Sequence, residues 1–276
     1  MRLLGSVLLD EFSLKVLRTA LEVVEAAQSR GIILRVLGAV AAYLHCSENE
    51  SAIMFFRSVG RVDGGALFTD VDLIGYSKQR KQLVSLMREL GFDENRAINT
   101  LFGHKRMVFF RDGVKVDIFF DKLEFSHDVF FGNEPGKGRL ELDYPTISLT
   151  DLLLEKLQIH QINKKDIIDV MAILMTHDVD NANGREVIHA GYIGRILSDD
   201  WGFWYDALEN LRKIESFAGR FRDEGLITAE QHAMILQNIE KLRFAIEGSE
   251  KTKNWVKRAK TGTSKPWYRE VEDLSI

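Results

Sequence analysis

The sequence predicts an α+β protein in two parts, a domain with a mixed sheet over residues 1–145 and an all-helical domain over residues 146–276. Three observations carry that expectation. The run Lys105-Arg106-Met107-Val108-Phe109-Phe110, a turn at Asp112-Gly113, and Val114 to Phe120 form the clearest hairpin pattern in the chain. Asp70 to Ile74 alternates charged and apolar residues, the period-two mark of a strand with two unlike faces. After Pro145 the long segments show helical spacing instead.

In chain order, the opening MRLLGSVLL is apolar but is interrupted by Asp10 and Glu11, too soon for a bilayer span, and no small-residue cleavage site follows. It reads as a first strand or helix packed on the core. Residues 11–30 form a helix through Leu14, Leu17, Leu21, Val24 and Ala27, with Gly31 placed to stop it. Ile32 to Leu37 is a short buried strand broken only by Arg35, and Gly38-Ala39 opens a helix directly behind it. Arg57 and Arg61 are expected at the surface, with a triphosphate as the other partner within their reach. Gly60, Gly64 and Gly65 make residues 60–69 a loop. A helix from Lys78 to Leu90 ends at Gly91.

In the second part, Ser148 caps a helix to His160 and Asn163 one to His177, with further helices at 187–198, 201–224 and 228–247. The last is opened by a capping box, Thr228 with Gln231. Trp201, Phe203, Trp204 and Tyr205 are expected in the core of this domain, with a stacking wall for a nucleobase as the other reading.

Composition narrows the chemistry. A chain of 276 residues, 45% hydrophobic, can bury a sizeable core, and three prolines without low-complexity runs argue against long disordered tails. The single cysteine, Cys46, excludes an intramolecular disulfide and a cysteine-rich zinc site; the seven histidines show no HExxH. Zinc is not expected, nor is a membrane, and the expected location is the cytoplasm. A net charge of −4 argues against a global nucleic-acid binder. Near the C-terminus, however, Lys251, Lys253, Lys257, Arg258, Lys260, Lys265 and Arg269 interleave with Trp255, Trp267 and Tyr268. Such a pattern can grip phosphates and stack bases. The plainer reading is a C-terminal helix docked to the body by its aromatics.

The chemistry-bearing residues are aspartates. On a strand Asp70 and Asp72 project from one face while Val71 and Leu73 face the core. Paired carboxylates repel unless a cation sits between them, and hard oxygen ligands suit Mg²⁺ or Mn²⁺. Asp117, on a second strand between Val116 and Ile118, offers a third carboxylate; Asp121 is the fallback for that role. Three strand-borne aspartates on one edge can hold two metals roughly 3.5–4 Å apart, the arrangement used for in-line displacement at phosphorus. Gly103-His104-Lys105-Arg106 reads as a solvated turn, the other reading being cations presented to phosphates.

The order strand, glycine turn, helix, D-x-D strand, helix, hairpin and third aspartate resembles the nucleotidyltransferase superfamily, the fold of DNA polymerase beta and the antibiotic nucleotidyltransferases. The matching residues are Gly38-Ala39, then Asp70-Val71-Asp72, then Asp117; the common second glycine or serine is Ala39 here, and the thirty-two positions from Gly38 to Asp70, longer than the family's common spacing, imply that residues 46–65 are an insertion or extended lid. The resemblance implies a nucleotidyltransferase-fold N-terminal domain that moves an NMP from an NTP, with ATP among the candidates, to a hydroxyl acceptor. Asp70 and Asp72 would bind both metals, and Asp117 would bind the catalytic metal and help activate the acceptor. Leu149 to Leu157 followed by Lys165-Asp166-Ile167-Ile168-Asp169-Val170 resembles the abortive-infection toxin class (AbiEii-like) of that superfamily. This implies Lys156 as a phosphate-binding lysine and Asp166 or Asp169 as a later acidic site residue. Residues alone also admit a structural Lys156–Asp169 bridge, and an Asp166 that merely favours its helix N-terminus. The acceptor, RNA or tRNA, protein or small molecule, stays open. An antitoxin protein is the partner implied by the toxin class, and a non-catalytic nucleotide- or RNA-binding protein is the rival reading.

Overall fold

The computed structural model describes residues 9–59, 66–181 and 184–270. The apolar opening up to Leu8 and the loop residues Gly60, Arg61, Gly64 and Gly65 lie outside the described residues. The fold is mixed α/β, in two compact units: Met1–Leu123 with Phe130–Ser148, and Glu124–Val129 with Leu149–Ile276. A division at Pro145 leaves Glu124–Val129 with the first part, whereas the contacts assign it to the second. Among the described residues no helix is long and apolar enough to cross a membrane.

The first unit opens with α1 (Glu11–Gln28), capped by Asp10, whose carboxylate accepts the Ser13 N–H at 2.8 Å. Its buried stripe runs through Ser13, Val16, Leu17, Ala20, Val23, Val24 and Ala27. Leu14 and Leu21 flank that stripe rather than centre it. Then follow β1 (Leu34–Val36), α2 (Gly38–Cys46), α3 (Glu50–Ser58), β2 (Val71–Gly75), a 3-10 turn at Ser77–Gln79, α4 (Arg80–Glu89), β3 (Asp93–Glu94), α5 (Arg96–Phe102), β4 (Arg106–Arg111) and β5 (Val114–Phe120). The five strands form one sheet in the order β1-β2-β5-β4-β3, with β2 and β5 parallel and the other neighbours antiparallel. Leu34, Val36, Val71, Leu73, Val116, Ile118, Met107 and Phe109 alternate onto one face and are buried. Helix α1 packs against β1, β2 and β5. The opposite face carries Arg35, Asp72, Lys115, Asp117 and Arg106 among the buried Ile74, Val108 and Phe119, so all the sheet's charged site residues share that side.

Of the expected insertion or lid at 46–65, residues 46–59 are described. Asn49 accepts the Ala52 N–H and starts α3, whose Ala52, Ile53, Phe55 and Phe56 are buried, so a short amphipathic helix occupies part of this stretch. Arg57 lies exposed near its C-terminal end.

β6 (Lys122–Glu124) and β7 (Asp128–Phe130) form a two-stranded ribbon around Glu124–Val129. The second unit is helical for most of its length: α6 (Leu149–Leu157), α7 (Lys164–Thr176), α8 (Ala190–Leu197), α9 (Trp201–Asp223), α10 (Ala229–Gly248) and α11 (Lys253–Ala259). Asn163 caps α7 and the Thr228–Gln231 capping box opens α10, as the sequence predicts. It is not all-helical, however. β8 (Asp178–Asp180) pairs in parallel with β9 (Val187–His189), burying Val179 and Ile188. Three-residue strands are too short for period two to emerge, so 187–198 reads as one helix while α8 begins only at Ala190.

Candidate functional site

The parallel register sets Asp72 of β2 directly beside Asp117 of β5. Like charges so placed repel. Asp70 stands immediately before β2 and, two residues from Asp72, shares its face. One carboxylate oxygen from each of Asp70, Asp72 and Asp117 lies within 4.8 Å of the other two. Asp117 is only 1% exposed, and Asp70 and Asp72 are half-buried. The segment leading into the cluster is pinned from α1: Ser13 Oγ accepts the N–H groups of Leu67 and Phe68 at 2.7 and 3.3 Å. Thr69 then donates to Asp70 Oδ1 at 2.9 Å.

Two cations offset the carboxylates. Arg106 on β4 lies diagonally across from Asp117 and grips it with both ends, Nε to Oδ1 and Nη2 to Oδ2, each at 2.9 Å. The Lys115 ammonium bridges Asp70 Oδ2 at 3.1 Å and Asp117 Oδ2 at 3.0 Å. Burial works against the charge of both side chains. For Arg106 the hydrogen bonds and charge of Asp117, helped by Asp72 and Asp70, outweigh it; for Lys115 the charges of Asp117 and Asp70 do, so both pKa values move upward.

Gly38 closes one side of the cluster. It holds φ +69, the left-handed conformation that favours glycine, and a β-carbon there would lie 2.9 Å from Asp72 Oδ2. The backbone is thus brought against the carboxylate where α2 begins. The Leu37 N–H donates to the Asp72 carbonyl at 3.0 Å, which ties the turn to β2. Leu37, the N-cap of α2, makes no side-chain capping bond, and Ala39 in the first turn sits half-buried. Three hard carboxylate oxygens this close together fit a Mg²⁺- or Mn²⁺-type cation. No protein-family model, curated protein or solved structure matches this chain.

The remaining predicted residues fall in several places. In the second unit Lys156 of α6 is 5% exposed and bridges two carboxylates of α7, Asp166 at 2.8 Å and Asp169 at 3.0 Å, the latter fully buried. Lys156, Asp166 and Asp169 therefore form one ion cluster. Asp121 does not join the three aspartates. It turns at φ 66 and accepts the Ser77 N–H at 2.8 Å, which ties the end of β5 to the 3-10 turn. His104 lines a cleft of about 570 Å³ with Arg80, Lys81 and Arg88, while Arg106 points instead to Asp117.

The basic, aromatic tail is docked. Trp255 meets Trp204 edge-on at 5.1 Å, and Trp267 packs on Trp201, Tyr205 and Tyr268. Arg258 donates to the carbonyls of Gly262, Lys265 and Pro266. Trp201, Trp204 and Tyr205 serve this packing, while Phe203, 1% exposed, stacks on His127. Lys115 is the residue that sequence reasoning passes over. Its signal is present in K-V-D, which repeats the two-residue offset of D-V-D and so places a cation on the face of Asp117.

Proposed function

We propose that this chain is a metal-dependent nucleotidyltransferase that transfers a nucleoside monophosphate from an NTP to a hydroxyl acceptor and releases pyrophosphate. The observation that carries the reading is the convergence of Asp70, Asp72 and Asp117 from two adjacent parallel strands, beside the glycine turn at Gly38. Asp70, Asp72 and Asp117 are the residues that would hold Mg²⁺ or Mn²⁺, which supplies charge stabilisation at phosphorus when bound. The chain's own groups do the rest. α2 begins at Gly38 beside the cluster, so the positive end of its helix dipole faces the site and suits phosphate oxygens, a use that Ala39 does not impair. A carboxylate of the cluster takes the acceptor's proton as the acceptor oxygen bonds to the α-phosphorus. The bond from that phosphorus to the bridging oxygen of the β-phosphate breaks, and pyrophosphate leaves. Arg106 fixes Asp117 so that the buried carboxylate keeps one orientation.

The test is incubation with α-labelled ATP, GTP, CTP and UTP, Mg²⁺ and cell extract, followed by asking whether label enters RNA, protein or a metabolite. Label that disappears in Asp72→Asn supports the reading, and no label with any NTP removes it. A second reading, a nucleotide- or RNA-binding protein without catalysis, is favoured by Arg106 and Lys115, which already neutralise much of the acidic charge. Thermal stabilisation by an NTP that is independent of Mg²⁺ and unchanged in Asp70→Ala would favour it.

A further inference from the structure

The nucleotidyltransferase reading, on which this inference rests, leaves the bridging lysine unexplained. Lys115 Nζ contacts one oxygen from each of two carboxylates, Asp70 Oδ2 and Asp117 Oδ2, at 3.1 and 3.0 Å. These belong to the same carboxylates that would ligate a divalent cation. An ammonium and a doubly charged ion sharing those oxygens repel each other strongly at such range. With Arg106 present as well, three carboxylates face two cations, and one formal negative charge remains to attract a metal.

The two cations are not equivalent. Arg106 is planar, holds Asp117 with two bonds and lies over the Phe119 ring, its guanidinium carbon 5.3 Å from the ring centre. Lys115 carries a flexible stem, makes point contacts, and its side chain is 37% exposed. It has more solvent into which to move than Arg106, whose side chain is 21% exposed and held by two bonds.

We infer that Lys115 is an internal competitor for the metal site, and that it is displaced efficiently only when metal arrives with a nucleoside triphosphate. Free metal alone turns the ammonium out with no anion to receive it. A triphosphate supplies that anion, so Lys115 passes from the carboxylates to a phosphate oxygen while the carboxylates pass to the metal. Metal and nucleotide therefore bind with positive coupling, and each raises the affinity of the other. The exchange makes Lys115 both a guard against unproductive metal loading and a phosphate ligand in the loaded site.

The experiment measures Mn²⁺ binding to the full chain by electron paramagnetic resonance without nucleotide, for the wild type, Lys115→Met, Lys115→Arg and Asp70→Asn. Binding of the four α,β-methylene nucleoside triphosphates is then followed by calorimetry with and without Mn²⁺. Lys115→Met is expected to tighten free Mn²⁺ by at least about tenfold and to weaken the Mn²⁺-dependent analogue by a similar factor, within the usual range of coupling between ligands. Lys115→Arg is expected to stay near the wild type. Lys115→Gln repeats the measurement should the methionine variant fail to fold. Unchanged or weaker Mn²⁺ binding in Lys115→Met overturns the competition. Unchanged analogue binding overturns the handover to phosphate while leaving the carboxylate site intact. If Asp70→Asn binds the analogue with Mn²⁺ as tightly as the wild type does, or no variant binds Mn²⁺ with or without the analogue, the nucleotidyltransferase reading itself falls.

Discussion

Arg106 and Asp117 form a two-pronged ion pair, both bonds at 2.9 Å, in which the carboxylate is 1% exposed and the arginine side chain 21%. Removing one partner of such a pair leaves a buried charge uncompensated, which costs more than the pair contributes. Arg106→Ala is expected to destabilise the first unit by the low end of about 3–5 kcal/mol, because Lys115 still contacts Asp117 Oδ2. Arg106→Lys keeps the charge but not the fork, and should lose less. Urea denaturation followed by far-ultraviolet circular dichroism checks this. A loss in Arg106→Ala below about 0.5 kcal/mol, the scatter of ordinary surface changes, contradicts it.

Gly38 and Gly91 both adopt positive φ, +69 and +79, but only at Gly38 does a β-carbon meet a neighbour, Asp72 Oδ2 at 2.9 Å. Alanine at either position carries the left-handed penalty of about 1–2 kcal/mol. Gly38→Ala must in addition push the Asp72 carboxylate aside. The expected outcome is similar thermal destabilisation in the two variants, with loss of Mg²⁺-dependent NTP stabilisation in Gly38→Ala alone. Equal NTP responses would show that the close approach has no part in the site.

The three aspartates are legible in the sequence because a two-residue offset on a strand maps directly onto one face, and the hairpin at Asp112-Gly113 settles which strand carries Asp117. Their juxtaposition also needs β2 beside β5 in parallel, a non-local pairing that the local pattern does not contain. Counter-charges are harder to read. Arg106 reaches Asp117 diagonally across β4 and β5, so nothing in the order of residues links them before the register is known. α3 is readable locally as well: Ile53, Phe55 and Phe56 mark a buried helical face within the stretch that the family's spacing makes an insertion or lid. β8 and β9 stay hidden for want of length.

Lys156 is held between Asp166 and Asp169 with little solvent, so truncation and neutralisation should differ sharply. Lys156→Ala strands the fully buried Asp169 and is expected to cost about 3–5 kcal/mol. The double variant Lys156→Met with Asp169→Leu removes both buried charges and should recover most of that loss. If the double variant refolds to near wild-type stability yet no longer gains stability from NTP with Mg²⁺, the Lys156–Asp169 pair takes part in nucleotide binding. If NTP stabilisation survives, the bridge serves only to join α6 to α7. Unfolding midpoints and nucleotide thermal shifts on the same samples distinguish these outcomes.

Asp206 on α9 is the hub that holds the tail in place. Its carboxylate is 2% exposed and accepts the Trp267 indole N–H at 3.0 Å, with His127 Nε2 at 2.8 Å and His160 Nδ1 at 2.9 Å. Burial alone pushes its pKa up, but the hydrogen bonds from His127, Trp267 and His160 outweigh that, and the net direction is down from the usual 3.8. A carboxylate whose folded pKa lies below its unfolded value binds fewer protons when folded. Its stabilising share is therefore fully present above the unfolded value and is lost as pH falls through the folded one. The second unit should weaken progressively below about pH 5, and Asp206→Asn should show a shallower acid slope from a lower starting stability. All four tryptophans, Trp201, Trp204, Trp255 and Trp267, belong to the second unit, so fluorescence-detected urea unfolding at a series of pH values isolates its response. An acid slope in Asp206→Asn equal to that of the wild type would mean that Asp206 has the same proton affinity folded and unfolded, and that the hydrogen bonds around it do not favour its charged form.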